Sequence, residues 1–479
     1  MPLLIRTLIA SLLWLLAGSA QAHSFGVLYT LPVPFWLYAW SASAALVVSF
    51  VVVGLVASQP VKTADAPAPR WRQLPPGLLP LLRLGSLAAL ALCIVCGWWG
   101  TPNPYGNFNM TFFWIVFVLG FAYLTALVGD FYSRISPFAT LAGLIARLTR
   151  REDGWLRYPT AWGYAPALLC YAVFLWLELL SHGTPRLLSQ LLFGYTVLTL
   201  AGCVVFGRRD WLRYGEFFGV WLGLIARMAP VAFADEHGRH FHWRWPFSGI
   251  TQPAHTHWTL LLFVLFMLSS TAFDGLHETK VWVELYWVTV YQELLMDSLG
   301  SNPVAAYPTL RVLYQHWQLA WLLASPGLYL AFYLAGIALM WLLIRRRLGL
   351  MPLALAFTPS LLPIVLVYHV SHYYTLIETQ GIKIIALASD PLGRGWDLFG
   401  TATWFRRVFV PDTGVVWHVQ VGLILAGHIA SVYAAHLIAL HLLKNRREAT
   451  ISQLPILALM VAFTVAGLWI LSQPMRAAP

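Results

Sequence analysis

Two histidines, His369 and His372, lie three residues apart within an apolar stretch. At this spacing on a helix they project from one face and offer two nitrogen ligands to a single metal ion. A third histidine, His428 or His418, follows in the next apolar stretch and could complete an open site together with a carboxylate. The alternative is that these histidines form hydrogen bonds within a helical bundle. We predict a divalent metal site, with zinc or manganese as the leading ions, at His369, His372 and His428.

Three acidic residues are the candidates for proton transfer. Asp274 ends the sixth apolar stretch, and Asp390 and Asp397 lie in the turn-rich loop 378–401. A loop of this kind beside a histidine cluster suits a binding or catalytic site. We expect Asp274 or Asp390 to serve as general base or metal ligand, with Asp397 as a further catalytic candidate. The alternative is that the two loop aspartates pair with Arg394 and only fold the loop.

The elements that must position these residues are membrane spans. Hydrophobic residues make up 59% of the 479 positions and charged residues only 10%, whereas a soluble domain carries about 25% charge. The mean hydropathy is +0.68. We therefore predict an all-α, polytopic transmembrane helical bundle. The net charge of +11 falls in short basic clusters between apolar runs, which is typical of membrane orientation signals and not of nucleic-acid binding.

Residues 1–22 have the pattern of an export signal. Arg6 precedes a short apolar core, and Ala20-Gln21-Ala22 has the form of a cleavage site. Cleavage would leave His23 at the new N-terminus, where its amine and its ring are further candidate metal ligands. The remaining residues 23–479 are then expected to form a single polytopic membrane domain.

About ten stretches of the mature chain have the length and hydropathy of a membrane span. They cover residues 33–57, 78–99, 110–129, 164–181, 187–206, 256–274, 317–344, 352–377, 415–443 and 453–472. If residue 23 is outside, the spans alternate so that the loops richest in Arg and Lys face the cytoplasm. We predict a multi-pass protein of the bacterial inner membrane with both mature termini on the outer face. This topology requires that segment 215–233 does not cross, so we expect that segment to be interfacial or re-entrant.

Several short sequence motifs are spread along nearly the whole mature chain. They are His23 with Leu31-Pro32-Val33-Pro34, Gly129-Asp130, residues 269–275, His372, Ala388-Ser389-Asp390-Pro391 and residues 395–401. In these pieces the chain resembles a family of bacterial polytopic membrane proteins that carry the name fenitrothion hydrolase. The resemblance implies hydrolysis of apolar organophosphate triesters, with a second membrane subunit as a partner. It carries over no catalytic residues.

A metal site would suit such a reaction. A phosphotriester with a nitrophenol leaving group needs a strong nucleophile and charge relief at phosphorus, and a divalent metal supplies both. An apolar substrate could reach the site from the membrane lipid. Two other classes remain open. One is a haem- or copper-binding protein with His372 and His428 as axial ligands, and the other is a transporter with Asp274, Glu178 and the histidines along its path.

Overall fold

The structure is a computed structural model. It describes residues 34–56, 71–181, 183–234, 239–251, 257–404, 411–443 and 445–473. The predicted export signal and His23 lie outside the described residues, so both stay predictions.

The N-terminal third of the described chain consists of helices, joined by a short strand and turns. Leu, Ala, Val and Phe dominate these helices, and in lipid such segments satisfy their backbone polar groups within the helix. Residues 111–121 within α3 have a wider helical turn than the rest of that helix. The elements are α1 (Phe35–Val56), β1 (Arg72–Gln73), α2 (Leu78–Trp99), α3 (Phe108–Val128), α4 (Tyr132–Ile135) and α5 (Pro137–Thr149), with a one-turn helix at Pro104–Gly106.

The middle third contains both long and short helices and two strands. Thr184 begins α7 as its N-cap, because its side chain accepts a hydrogen bond from the Leu187 amide. The elements are α6 (Ala165–Leu179), α7 (Pro185–Phe206), α8 (Arg208–Tyr214), α9 (Phe217–Ala226), β2 (Val231–Ala234), β3 (His240–Trp243) and α10 (Trp258–His277), with single turns at Thr160–Trp162 and Ser248–Thr251.

The C-terminal part contains the longest helices. Asn302 caps α12, and Asp412 caps α14 through the amide of Val415. Within α13 the winding tightens at Thr358–Leu361 and again at Gly381–Lys383. The elements are α11 (280–299), α12 (Pro303–Leu343), α13 (Leu350–Ser389), α14 (Thr413–Leu442), α15 (Arg446–Ser452) and α16 (Leu454–Ser472).

Nine helical segments of the described chain are long and apolar enough to cross a membrane. They are α1, α2, α3, α7, α10, α12, α13, α14 and the pair α15–α16. The predicted all-α bundle is therefore confirmed, and nine of the ten predicted spans have a counterpart. The remaining predicted span, at 164–181, corresponds to α6. This helix has 15 residues and extends over only about 22 Å, which is less than the hydrocarbon core of about 30 Å.

Helix α9 lies in the segment that the sequence predicts not to cross. It has ten residues, which amounts to about 15 Å against a hydrocarbon core of about 30 Å. Eight of its side chains are buried, from Phe217 to Ala226. The helix therefore does not span the membrane, and it is enclosed by protein, as non-spanning backbone at membrane depth must be.

A small antiparallel sheet marks one end of the bundle. Its strand order is β1-β3-β2, with Arg72 opposite Phe241 and Val231 opposite Trp243. Open sheet edges do not occur facing lipid hydrocarbon. We call this the sheet end. Helix α10 begins near it and carries Asp274 to the opposite end.

Helix α10 is the centre of the bundle. Most of its side chains from Thr259 to Phe273 are buried, as expected for a helix that is apolar on every side. It packs against α6, α12, α13 and α16. Ser325 of α12 donates a hydrogen bond to Ser269 of α10 at 2.8 Å. This central position places the last turn of α10 against the histidine-bearing part of α13.

Helices α11 and α12 form a hairpin that the sequence does not predict. The span expected at 317–344 belongs to a helix of 41 residues, which is roughly 60 Å long. The Tyr286 hydroxyl donates to the Leu310 carbonyl at 2.9 Å, and the rings of Trp282 and Trp317 lie 4.3 Å apart. Helix α11 therefore packs along the first half of α12.

Candidate functional site

Asp274 is the centre of a polar cluster between α10 and α13. Its Oδ2 lies 2.7 Å from Nε2 of His372 and accepts a hydrogen bond of 2.6 Å from the hydroxyl of Tyr373. The side chains of Asp274 and His372 are 14% and 17% exposed. The pair is therefore shielded from solvent without being sealed. A carboxylate that accepts a hydrogen bond from Nε2 leaves Nδ1 of a neutral His372 as the basic nitrogen.

A second imidazole lies on the other side of Asp274. The Nδ1 atom of His277 lies 2.8 Å from the Asp274 carbonyl, and its Nε2 lies 3.2 Å from Oε1 of Glu278. Both ring nitrogens thus face acceptors, and only the doubly protonated ring can donate to both. The same Nδ1 is 3.9 Å from Oδ1 of Asp274. His277 therefore adds positive charge next to the Asp274 carboxylate.

Glu178 brings a second, half-buried carboxylate close to this cluster from α6. It lies near enough to Tyr373 and Asp274 to interact electrostatically with both. Ionisable groups inside a membrane protein are costly and are usually tied to function. Tyr373 therefore lies near two carboxylates that belong to different helices.

His369 does not share the contacts of His372, although the two were predicted to bind one ion. Its ring packs in an aromatic cage, with centroids 5.8 Å from Tyr123, 5.8 Å from Trp221 and 5.1 Å from Tyr373. Its Nδ1 is buried without a hydrogen-bond partner. The contacts of His369 are thus aromatic, whereas those of His372 are with a carboxylate.

His428 and His418 also take separate positions. The ring of His428 is fully buried against Tyr368 at 5.8 Å, and its Nδ1 lies 2.8 Å from the Ile424 carbonyl of its own helix. Its Nε2 is buried without a partner. His418 is exposed and forms a hydrogen bond with the Gly414 carbonyl of its own helix.

The predicted metal site requires at least three of the histidine and carboxylate side chains to lie close together. Within the part of the chain that the structure describes, no three His, Cys, Asp or Glu side chains are grouped so that they could hold a metal ion. The described donor set therefore offers the two-residue pair Asp274–His372 and no larger set. The metal prediction remains a prediction, and the chemistry derived below uses the pair alone.

The loop aspartates are occupied in folding their own loop. Asp390 accepts hydrogen bonds from the amides of Arg394 and Gly395 at 2.8 and 2.7 Å. Asp397 accepts from the Ser389 hydroxyl at 2.8 Å and from the Ala402 amide at 3.0 Å. These bonds hold the pKa of Asp397 below its usual range, chiefly through the Ala402 amide and then through Ser389.

Arg394 has a different contact from the one that the sequence suggests. Its guanidinium lies over the ring of Trp396 at 5.8 Å. The described ion pairs do not include one between Arg394 and either loop aspartate. The two carboxylates thus fold the loop through backbone amides and a hydroxyl, as in turns capped by aspartate side chains.

The sequence placed Asp274 in one site with His372 only as an alternative to Asp390, and it did not identify Tyr373 as a site residue. It indicated Glu178 only as part of a transport path. Two features of the sequence could have indicated these residues. Tyr373 follows His372 directly, and Glu178 is an acid inside an apolar stretch. Their convergence on Asp274 depends on the packing of three helices, which periodicity does not reveal.

Comparisons with known proteins add no family to this description. No protein-family model matches the chain. No curated protein and no solved structure matches it either.

Proposed function

We propose that this chain is a membrane-embedded hydrolase of apolar phosphotriesters, with the Asp274–His372 pair as its proton-transfer centre. The observation that carries the proposal is the 2.7 Å contact between Nε2 of His372 and Oδ2 of Asp274, in a site that is mostly shielded from water. A carboxylate that orients an imidazole is a recurrent arrangement for activating a nucleophile. The resemblance described above supplies the substrate class.

The reaction requires only one proton transfer at the attacking water. His372 takes a proton from the water through Nδ1 while the water oxygen forms a bond to phosphorus. The bond from phosphorus to the aryl oxygen breaks, and the nitrophenolate leaves with its electron pair. Asp274 stabilises the imidazolium that forms, and the Tyr373 hydroxyl fixes the Asp274 carboxylate.

Substrate access fits an apolar ester. The pair sits near the end of α10, and α13 and α12 expose several large apolar side chains around the bundle. An ester dissolved in the lipid can therefore approach laterally, and the limited exposure of the pair restricts competing water.

The test is nitrophenolate release by the purified protein. We expect Asp274→Asn and His372→Gln each to lower kcat/KM by about 100-fold or more, because general base catalysis contributes about 10²–10⁴. His441→Gln is the control, since that exposed histidine binds only the Leu437 carbonyl of its own helix. Unchanged turnover in both pair variants, with normal membrane insertion, would show that the pair is not the catalytic centre.

A proton-coupled transporter is the second candidate. The observation that favours it is Glu178, which adds a carboxylate from another helix to the Asp274 cluster. Chains of acids and histidines inside spans serve as proton relays in transporters. In sealed vesicles a transporter would move protons with a solute and release no product. Glu178→Gln would then abolish flux, whereas a hydrolase would retain product release without flux.

A further inference from the structure

Two segments of the chain, 130–147 and 210–227, share a sequence pattern, and each contains the start of a short helix. Helix α5 lies in the first segment and α9 in the second. We call these segments the two repeats. The positions that match, in the same order and at the same spacing, are Asp130 and Asp210, the helix caps Ser136 and Glu216, Phe138 and Phe218, and the pentapeptide Gly-Leu-Ile-Ala-Arg at 143–147 and 223–227.

The repeats meet where their short helices begin. The rings of Phe138 and Phe218 lie 6.5 Å apart and are nearly parallel. Ser136 caps α5 by accepting from the amide three residues further on at 3.3 Å, and Glu216 caps α9 in the same way at 2.8 Å. Serine is among the preferred caps of a helix, whereas glutamate is not. Capping therefore explains the serine of the first repeat but not the carboxylate of the second.

Each repeat leads into a helix that carries an acid near its far end. Glu178 lies on α6, which follows the first repeat, and Asp274 lies on α10, which follows the second. The two acids interact electrostatically, and closer to the repeats the hydroxyls of Tyr171 on α6 and Ser270 on α10 lie 3.5 Å apart. The helices that follow the repeats are thus paired like the repeats themselves.

The carboxyl group of Glu216 is surrounded by neutral donors. Glu216 is 2% exposed, and the described ion pairs do not include one to it. Its Oε1 accepts from the Tyr195 hydroxyl at 2.8 Å and from the Tyr132 hydroxyl at 3.4 Å. Its other donors are the amides of Phe218 and Gly219. A buried charge without a cation is costly, and such a group is relieved by binding a proton.

The same surroundings also suit the protonated acid. The Tyr195 hydroxyl accepts from the Phe217 amide at 3.0 Å while it donates to Glu216. A hydroxyl both donates and accepts, so the hydroxyl of Tyr132 can accept the proton of a neutral Glu216. Burial raises the pKa of Glu216 to about 7, against the hydrogen bonds from Tyr195 and the amides, which lower it.

The other titratable groups near Glu216 are thiols and phenols, which ordinarily titrate at about 8.5 and 10. They are Tyr132 of α4, Tyr195 and Cys203 of α7, and Cys170 of α6. The charged residues of α8 have other surroundings: Arg208 lies against Gly143, Arg209 is exposed, Asp210 interacts with Tyr158, and Arg213 lies over the ring of Tyr214. Tyr123 of α3 and His369 of α13 pack on each other, and His369 meets α9 further along, at Trp221.

Tyr132 connects Glu216 to the sheet end. Asp130 interacts electrostatically with Tyr132 and is partly exposed, and the preceding Gly129 lies against the Val231 carbonyl of β2. A proton from water at this end, attracted by the Asp130 carboxylate, can therefore pass through the Tyr132 hydroxyl to Oε1 of Glu216. Each transfer breaks one O–H bond and forms another, so the step needs no further reactant.

We propose that Glu216 is a proton-binding site at the junction of the two repeats, and that it takes up its proton from the sheet end through Tyr132. Acids enclosed by spans serve as proton sites, and in transporters such sites lie where internal repeats meet and the N-termini of short helices converge. The inference does not rest on the proposed hydrolysis. In a transporter, Glu216 would be the proton site on the opposite side from the Asp274 cluster.

The test is infrared difference spectroscopy of the full chain in lipid vesicles, from about pH 5 to pH 9, above the ordinary glutamate pKa of about 4.3. We expect a carbonyl band of a protonated carboxylic acid that disappears near pH 7 and that Glu216→Gln removes. Tyr195→Phe should raise its midpoint by about one pH unit, because a donor to the charged form is lost. Tyr132→Phe should slow the exchange of this proton in heavy water. Glu448→Gln is the control, since that acid pairs with Arg347 at 3.0 Å.

Three outcomes would overturn the proposal. If the whole band persists in Glu216→Gln, another acid holds the proton, and Glu178→Gln then shows whether it belongs to the Asp274 cluster. If Glu216→Gln removes only a carboxylate band at every pH, Glu216 stays ionised and acts as a cap alone. Unchanged proton exchange in Tyr132→Phe would exclude the route from the sheet end. If Glu216→Gln fails to insert, Tyr195→Phe still decides, because an unchanged midpoint there contradicts a proton on Glu216.

Discussion

At the scale of single residues, Asp274 is the point where the chemistry of the chain converges. It accepts from two neighbours in sequence, His372 and Tyr373, on one oxygen, and it has the imidazole of His277 on its other side. This arrangement keeps the carboxylate oriented by more than one bond. The individual bonds can therefore be removed separately.

Tyr373→Phe should lower turnover less than loss of Asp274 does. The change removes one donor from Asp274 but leaves the contact with His372, so we expect a decrease of about tenfold, equivalent to a hydrogen bond of about 1.4 kcal/mol. Tyr374→Phe is the matched control, because its hydroxyl reaches only the Val416 carbonyl, at 3.5 Å. Equal losses in the two variants would indicate a general packing effect.

The predicted metal centre has its own test at this scale. If the site exists, the purified protein contains a divalent ion, His372→Ala loses both ion and activity, and His369→Ala and His428→Ala lose them at least in part. Metal analysis beside turnover, with and without a chelator, measures this. A metal-free protein with full activity would contradict the prediction and leave the Asp274–His372 pair as the reaction centre.

The sequence indicated which residues belong to the candidate site, but it did not indicate which side chains they contact. Polar residues within apolar stretches identified Asp274, His372 and His428 as unusual, because lipid penalises ionisable groups. Helical spacing suggested that His369 and His372 act together, yet Trp221 of α9 and Tyr123 of α3 surround His369. These contacts come from helices whose packing the sequence does not specify.

At the scale of elements, the loop after α13 is held by its own carboxylates. Asp397 bonds Ser389 and Ala402, and its pKa is lowered by those bonds. A carboxyl whose pKa is lower in the folded loop stabilises the loop above its ordinary pKa, and that stabilisation is lost as the pH falls through the folded value.

We therefore expect the loop to loosen in acid while the bundle stays intact. Relative to the intrinsic exchange rate at each pH, the amides of Phe399 and Ala402 should lose protection below about pH 4, the ordinary range of an aspartate. Asp397→Asn should show the same loss of protection already at neutral pH, and any loss of activity would follow from this. Slow exchange in the variant at pH 7 would contradict a structural role for Asp397.

Close packing between α13 and α14 depends on one small residue. A Cβ atom at Gly427 would lie 2.2 Å from Cγ2 of Val367, whereas one at Gly422 on the same helix would meet nothing within 4 Å. Small residues let membrane helices approach closely. Gly427→Ala should therefore destabilise the bundle by about 1–3 kcal/mol, and Gly422→Ala should not. Equal melting temperatures of the two variants would contradict this account.

At the scale of the whole molecule, hydropathy predicted the architecture well. Nine spans appear near the predicted positions, except that α12 begins at Pro303 and not near 317, and α13 ends at Ser389 and not near 377. The extension of α12 was missed because polar residues interrupt its apolar run and because it packs on α11. The export signal cannot be compared, since it lies outside the described residues.

Topology is the prediction that belongs to this scale. Basic loops between the spans predict that both mature termini face outward. This needs an even number of crossings, so it requires α6 to cross together with the nine longer segments. A phosphatase fused after the last residue should be active, and a fluorescent protein fused there should be dark. The reverse result would contradict the ten-span topology.

The enclosed helix α9 also imposes an order on how the chain is made. It is too short to stop in the membrane on its own, and Trp221 finds its contact with His369 only on α13. About 150 residues are synthesised between these two positions, which takes on the order of ten seconds at ordinary translation rates. During that interval the side of α9 that faces α13 lacks its final neighbour, although the earlier helices α3, α4 and α6 are already present. Maturation of this protein therefore includes a late docking step after the first spans are inserted, and that step is where insertion chaperones and membrane proteases would compete for the nascent chain.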